Sequence, residues 1–193
     1  MNLPNKLTML RIFIIPIIVV LYLLRGLIGD STFIILGILF ILASITDYLD
    51  GYIARKRDIV TTFGKFVDPL ADKLLVLGSL LLFSDFYARS SVGGLFMWMP
   101  FWIVLIVLAR ELIVTSIRLV AVGEGIILHA SKLGKYKTAF TMVSIVYYFF
   151  LMPLDNPVLN IVGVVLISIS VLLTIISGID YFIKNKTVIL KSV

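Results

Sequence analysis

The chain has 193 residues, of which 61% are hydrophobic and only 15% charged, and its mean hydropathy is +1.14. A soluble domain of that length carries far more polar surface, so the composition argues for a membrane protein. The formal charge of +6, which in a soluble chain would suggest nucleic acid, is spread between apolar runs and suits membrane topology and anionic lipid or phosphate instead. With no cysteine, disulfides, thiol catalysis and thiolate metal sites are excluded.

A helix needs about 20 residues to cross the hydrocarbon core. Taken in chain order, apolar runs predict six spans, near residues 7–25, 32–55, 66–84, 96–118, 134–152 and 157–182. Lys6 and Arg11 before the first run superficially resemble a signal peptide, but no small-residue cleavage site follows Leu24, so the run reads as a retained span. Short breaks separate the spans: Arg25–Ser31, Asp85–Gly94 and Pro153–Pro157 on one side, Lys56–Lys65 and Gly123–Lys132 on the other. The expected fold is an all-α integral membrane protein, a single domain over 1–193.

Positive charge fixes the expected orientation. The N-terminal stretch, the Arg55–Lys65 loop, the Arg110–Lys137 region and the C-terminal tail hold 14 of the 17 Lys and Arg residues. The opposite breaks hold Arg25 and Arg89, and Lys73 lies inside the third span. Both termini are therefore expected on the cytoplasmic side. Trp98 and Trp102 are expected to mark the outer interface.

Asp47 and Asp50 near the end of the second span, and Asp68 and Asp72 near the start of the third, come to a similar membrane depth. At a rise of 1.5 Å per residue, Asp47 lies ~12 Å along the axis from Arg55, below the interface. The i,i+3 and i,i+4 spacings put each pair on one helix face. Four acids at that depth would cost on the order of 10 kcal/mol if exposed to lipid, and close carboxylates oppose one another's ionisation. Two divalent cations, Mg²⁺ or Mn²⁺, would remove both objections, since hard oxygen donors without Cys or His suit those ions. The plainer reading is a set of buried salt bridges to Arg55, Lys65 and Lys73, which supplies fewer cations than acids. Gly51 and Gly64 flank the acids where a ligand could approach the backbone, whereas Gly37 and Gly78 read as helix-packing positions.

Asp47-Tyr-Leu-Asp50-Gly51-Tyr-Ile-Ala54-Arg55, eight residues, Gly64, three residues, Asp68, three residues and Asp72 together resemble the signature of the CDP-alcohol phosphotransferase family. The match spans 26 residues and fixes eight of them. The resemblance implies the family's six-span fold and a homodimer. It implies that Asp47, Asp50, Asp68 and Asp72 hold two metal ions, with Asp72 also the general base. It implies that Asn5, Gly51, Ala54, Arg55, Thr61 and Gly64 contact the CDP-linked donor, and that CMP is released as the donor's lipid phosphate passes to an alcohol.

The motif leaves the alcohol open. Arg110 and Arg118 are eight residues apart, about two turns, and so share a face. With Arg11, Lys135 and Lys137 they read as an anion pocket for an acceptor that is itself a phosphate. Lys184, Lys186 and Lys191 read as positive-inside anchors, Glu111 as a structural or orienting partner, and His129 as a solvated loop residue. The segments starting at Asn2, Ala109 and Gly134 are similar to those of bacterial phosphatidylglycerophosphate synthases. That resemblance implies CDP-diacylglycerol as donor, glycerol 3-phosphate as acceptor, and Thr8, Arg11, Arg110, Arg118, Lys135 and Lys137 at the acceptor phosphate. The alternatives are a cardiolipin or phosphatidylinositol phosphate synthase and, in another class, a divalent-cation channel or transporter.

Overall fold

The computed structural model describes residues 2–29, 31–56, 61–89, 99–126, 128, 131–151, 154 and 156–190, leaving aside the side chains of residues 3, 55, 65 and 187–190. Trp98, His129 and Lys191, and the side chain of Arg55, therefore lie outside the described residues.

The described residues form helices and no strands. These are α1 (Leu3–Leu23), α2 (Arg25–Ile28), α3 (Ser31–Lys56), α4 (Thr62–Arg89), α5 (Phe101–Gly123), α6 (Lys132–Leu151) and α7 (Pro157–Leu190). Six of them coincide with the six apolar runs, and α2 is a single turn inside the first expected break. Asn2 starts α1 by accepting the Asn5 N–H at 3.1 Å, with proline in the first turn where no N–H is needed. Gly29, at φ 80°, closes α2 in a conformation that glycine adopts without strain. The fourth span was expected from residue 96, but α5 begins at Phe101 because Pro100 drives the residue before it out of the helical region. The last helix runs eight residues past the expected 182, and Lys184 pairs with Asp180 at 2.8 Å along its extension.

Among the described residues, three helical stretches are long and apolar enough to cross a membrane: Pro4–Leu23, Ser31–Ala54 and Pro157–Lys186. Only 28%, 33% and 28% of their apolar windows are buried, so most of that surface faces outward, as lipid requires. The acids and bases within α4 and α5, and the lysines opening α6, keep those three helices out of the class.

Two compact units emerge from the contacts. The first comprises residues 1–85 and 145–156, with α1 packed on α3. Its apolar centre includes Ile18, Leu36 and Leu75, all 3% exposed or less. Aromatic rings close its far end: Phe149 lies 5.8 Å from Phe40 and 4.7 Å from Phe83, and Phe83 lies 5.3 Å from Tyr148. Tyr22 donates to Asp85 at 2.8 Å, which satisfies an otherwise awkward carboxylate there. The second unit comprises residues 86–144 and 157–193, with α5 packed on α7. Val114, Ile117 and Tyr181 form its buried cluster, partly covered by Leu128.

Gly37 and Gly78 part company. A Cβ at Gly37 would stand 2.9 Å from Phe149 Cβ and 2.9 Å from Phe150 Cε2, whereas one at Gly78 would meet nothing within 4 Å. Gly37→Ala is therefore expected to cost about 1–3 kcal/mol through overpacking. Gly78→Ala should be neutral or gain up to about 1 kcal/mol from helix propensity. Thermal unfolding of both variants in detergent checks this, and equal midpoints would refute the packing role of Gly37.

Candidate active site

Three elements of the first unit build the aspartate group. Asn5, Thr8 and Arg11 recur every third residue on α1 and so share a face; all three are buried. The last turns of α3 bring Asp47 and Asp50, and the first turns of α4 bring Gly64 and Asp68. Thr61 caps α4: its Oγ1 accepts the Gly64 N–H at 3.0 Å and donates to Asn5 Oδ1 at 2.9 Å. Its hydroxyl thereby ties the start of α4 to the start of α1. Gly64 leaves the backbone open here, since a Cβ would stand 3.3 Å from Thr61 Oγ1 and 3.5 Å from both Asn5 Oδ1 and Asp68 Oδ2.

At the centre, Thr8 Oγ1 lies 2.6 Å from Asp68 Oδ1, 3.2 Å from Asp50 Oδ2 and 3.2 Å from the Pro4 carbonyl. A hydroxyl has one hydrogen to give. It can satisfy only one of these three acceptors, and the remaining close approaches set oxygen lone pairs against one another. A positive charge relieves them. Arg11, wholly buried, supplies one, with Nη1 2.6 Å from Asp47 Oδ1 and Nη2 2.5 Å from Asp50 Oδ2. Asp72 lies one turn beyond Asp68 on α4 and is half-buried, as are Gly51 and Ala54 on α3.

Among the described residues no three Asp, Glu or His side chains stand together closely enough to hold an ion by themselves. Asp47 and Asp50 converge on the Arg11 guanidinium, and Asp50 and Asp68 on the Thr8 hydroxyl. The donor set nonetheless suits a hard divalent cation: carboxylate and hydroxyl oxygens crowded together, with no sulfur or imidazole.

The basic residues fall into two places. Thr8 and Arg11, expected at the acceptor phosphate, lie among the aspartates of the first unit. The i,i+3 spacing from Asn5 carries both onto that face, and Arg11 has its two Nη atoms engaged by carboxylates. The salt-bridge reading looked to Arg55, Lys65 and Lys73 for cations; the side chains of Arg55 and Lys65 lie outside the described residues, and among the described ones α1 contributes a further cation, Arg11, beside Asp47 and Asp50. No signal in the aspartate motif itself points to Arg11 in that role.

Arg110, Arg118, Lys135 and Lys137 belong to the second unit. Glu111 receives Arg110 Nη1 at 3.0 Å and also binds Lys137, whose side chain is nearly buried. Arg110 Nη2 donates to Ser177 on α7 at 3.2 Å. A Cβ on Gly134, in the first turn of α6, would stand 3.5 Å from Arg110 Nη2, and one on Gly178 would stand 3.0 Å from Arg110 Cγ. Gly178 thus makes room for the stem of Arg110, whereas a Cβ at Gly134 would meet its Nη2 at ordinary contact distance. Arg118 lies over the Tyr181 ring at 5.4 Å and its Nε donates to the Tyr181 hydroxyl at 3.1 Å. Lys135 is exposed. Ser177 and Tyr181 escaped the sequence reading, and so did the buried line of Ser170, Thr174 and Ser177, whose i,i+4,i+7 spacing in an apolar helix was the available signal.

The profile of a family described as CDP-alcohol phosphatidyltransferase matches residues 1–176. A CDP-diacylglycerol–glycerol-3-phosphate 3-phosphatidyltransferase of Bacillus subtilis strain 168 is 38% identical over 197 aligned residues, covering 95% of this chain and 95% of the relative. A protein of the same name from Rickettsia typhi is 38% identical over 96% of this chain and 98% of its own length. A probable phosphatidylglycerophosphate synthase of Mycobacterium tuberculosis strain H37Rv is 38% identical over 93% of this chain and 79% of its own. A profile match over most of the chain, with relatives aligned nearly end to end, places an aspartate group of this composition in a known setting: the chain belongs to the CDP-alcohol phosphatidyltransferase family.

Proposed function

We propose that this chain transfers the phosphatidyl group of CDP-diacylglycerol to glycerol 3-phosphate, giving phosphatidylglycerophosphate and CMP in phospholipid biosynthesis. The observation that carries the reading is the linking of Asp47, Asp50 and Asp68 through Arg11 and Thr8 in a chain whose relatives bear that activity in their names. A diacyl donor stays in the bilayer while its cytidine head and the acceptor belong to water. Six spans with both termini cytoplasmic would put the aspartates at the cytoplasmic face of the bacterial cell membrane, where both substrates arrive. A homodimer is part of the same proposal.

In this reading the acceptor hydroxyl attacks the lipid phosphorus, the new P–O bond forms, and the P–O bond to CMP breaks. Asp72, half-buried one turn from Asp68, takes the hydroxyl proton. Two divalent cations, Mg²⁺ or Mn²⁺, held by Asp47, Asp50, Asp68 and Asp72, would stabilise charge on the attacking and leaving oxygens. Asn5, Thr61 and Gly64 line the gap beside Asp68, and with Gly51, Ala54 and Arg55 they receive the nucleotide and its pyrophosphate. Most of the protein's contribution is positioning and charge stabilisation. The acceptor phosphate is met by Arg110, Arg118, Lys135 and Lys137, where positive charge exceeds what Glu111 balances.

CMP release from CDP-diacylglycerol by the purified protein is expected with glycerol 3-phosphate and not with inositol phosphate, phosphatidylglycerol or serine. No release with glycerol 3-phosphate would overturn the assignment. Asp72→Asn should keep donor binding and lose turnover by roughly 10²–10⁴-fold, the range for a general base; full activity would remove Asp72 from that role.

Glu111 is expected to hold its two cations rather than touch substrate. Glu111→Ala leaves Lys137 and Arg110 without their carboxylate and should cost about 3 kcal/mol. Glu111→Gln, which keeps the shape and an acceptor oxygen, should cost less. An unfolding midpoint unchanged in both variants would show that the pairs contribute nothing.

A further inference from the structure

Arg11 has an unusual environment. Its side chain is 0% exposed, and its guanidinium bridges a carboxylate that is 43% exposed, Asp47, to one that is 3% exposed, Asp50. Its Nε makes no hydrogen bond among the described residues, and its Nη1 touches Asp47 without hydrogen-bond alignment. A guanidinium with five N–H donors is therefore held by charge more than by directed bonds. A charge held in this way can be exchanged for another cation more readily than one fixed by a complete set of bonds.

Asp47, Asp50 and Asp68 carry three negative charges and Arg11 one positive, so one divalent cation balances the group with Arg11 in place. Two divalent cations balance all four aspartates without Arg11, and with it they leave one positive charge in excess. The oxygens that Arg11 grips are those a cation between Asp47 and Asp50 would need.

We propose that Arg11 is a built-in counter-ion that competes with divalent cations for Asp47 and Asp50, and must release at least one of them when a second cation is admitted. The inference rests on the reading above that the aspartates hold divalent cations. It assigns Arg11 a role distinct from the expected acceptor contact: it compensates the carboxylates until cations do. The released guanidinium then requires an anion, and both substrates of the proposed reaction carry phosphate.

The test is Mn²⁺ binding to the purified protein in detergent, followed by the electron paramagnetic resonance of free Mn²⁺, with unfolding midpoints measured in chelator and in Mn²⁺. Arg11→Gln is expected to bind Mn²⁺ on the order of tenfold more tightly, within the usual span of coupling between two sites. It should also unfold earlier in chelator and gain more from added Mn²⁺ than the wild type. Arg11→Lys, which keeps the charge but not the two-pronged grip, should fall between the two and serves alone if Arg11→Gln does not fold. Asp68→Asn is the control for the underlying reading. If the wild type binds Mn²⁺ and Asp68→Asn weakens it, but neither Arg11 variant binds more tightly, the counter-ion proposal fails and the metal reading stands. If the wild type binds no Mn²⁺ and Asp68→Asn changes nothing, both fail together.

Discussion

Asp50 is 3% exposed in a chain with a mean hydropathy of +1.14, and a carboxylate so placed has to be compensated by groups within bonding distance. Two such groups come from α1: the Arg11 guanidinium and the Thr8 hydroxyl. That requirement fixes much else. It ties α1 to the end of α3, and through Asp68 it ties both to the start of α4. Among the described side chains, these two leave the group short of positive charge, because one guanidinium pairs with two of the three acids and one hydroxyl proton faces three acceptors. A site that folds with its charge incompletely balanced is prepared to take up cations.

The ends of the helices do much of the positioning. Thr61 caps α4 and reaches Asn5, so a single hydroxyl sets both where α4 begins and how it meets α1. Gly64 in the next turn keeps side-chain bulk out of the gap beside Asp68. Away from the site, Gly37 lets α3 approach Phe149 and Phe150, so the aromatic end of the first unit packs closely while the polar end stays open to ligands. The two glycine roles differ for a physical reason: at Gly37 the missing methyl is replaced by protein, and at Gly64 the space is bordered by oxygens.

Much of this was legible in the sequence. Six apolar runs became six long helices, and the i,i+3 and i,i+4 spacings of the acids were enough to pair them by face. The aspartate motif also carried the family. The rest lay in relations that a linear pattern does not contain. The charge of Arg11 and the expected depth of Thr8 are readable from the sequence, but their contacts with the acids depend on how α1 packs on α3. Gly78 looked equivalent to Gly37 because both interrupt apolar helices, yet only one has a neighbour in reach. Tyr181 and Ser177 were passed over because, in an apolar helix, a hydroxyl reads as filler until an arginine is seen beside it. Hydropathy also marked α4, α5 and α6 less strongly than α1, α3 and α7, since the charges expected to do the chemistry are the ones that lower the score.

Among the described side chains, the two charged groups differ in which sign predominates. In the first unit, Arg11 meets two carboxylates, Asp47 and Asp50, with Asp68 joined to Asp50 through Thr8; in the second, Glu111 meets Arg110 and Lys137, with Lys135 exposed and Arg118 resting on a neutral ring. A surplus of carboxylate selects cations, and a surplus of guanidinium and ammonium selects anions. The arginines have further value for an anion that must be held in one orientation, because their planar forks match phosphate oxygens in pairs where an ammonium offers only a point charge. Tyr181 stiffens Arg118 without neutralising it, and Ser177 does the same for one Nη of Arg110. A neutral alcohol would draw nothing from the positive charge that Glu111 leaves unbalanced. An acceptor that carries its own phosphate would use both the charge and the rigidity, so in the proposed reading the aspartate group sets the type of reaction while the basic residues discriminate among alcohols.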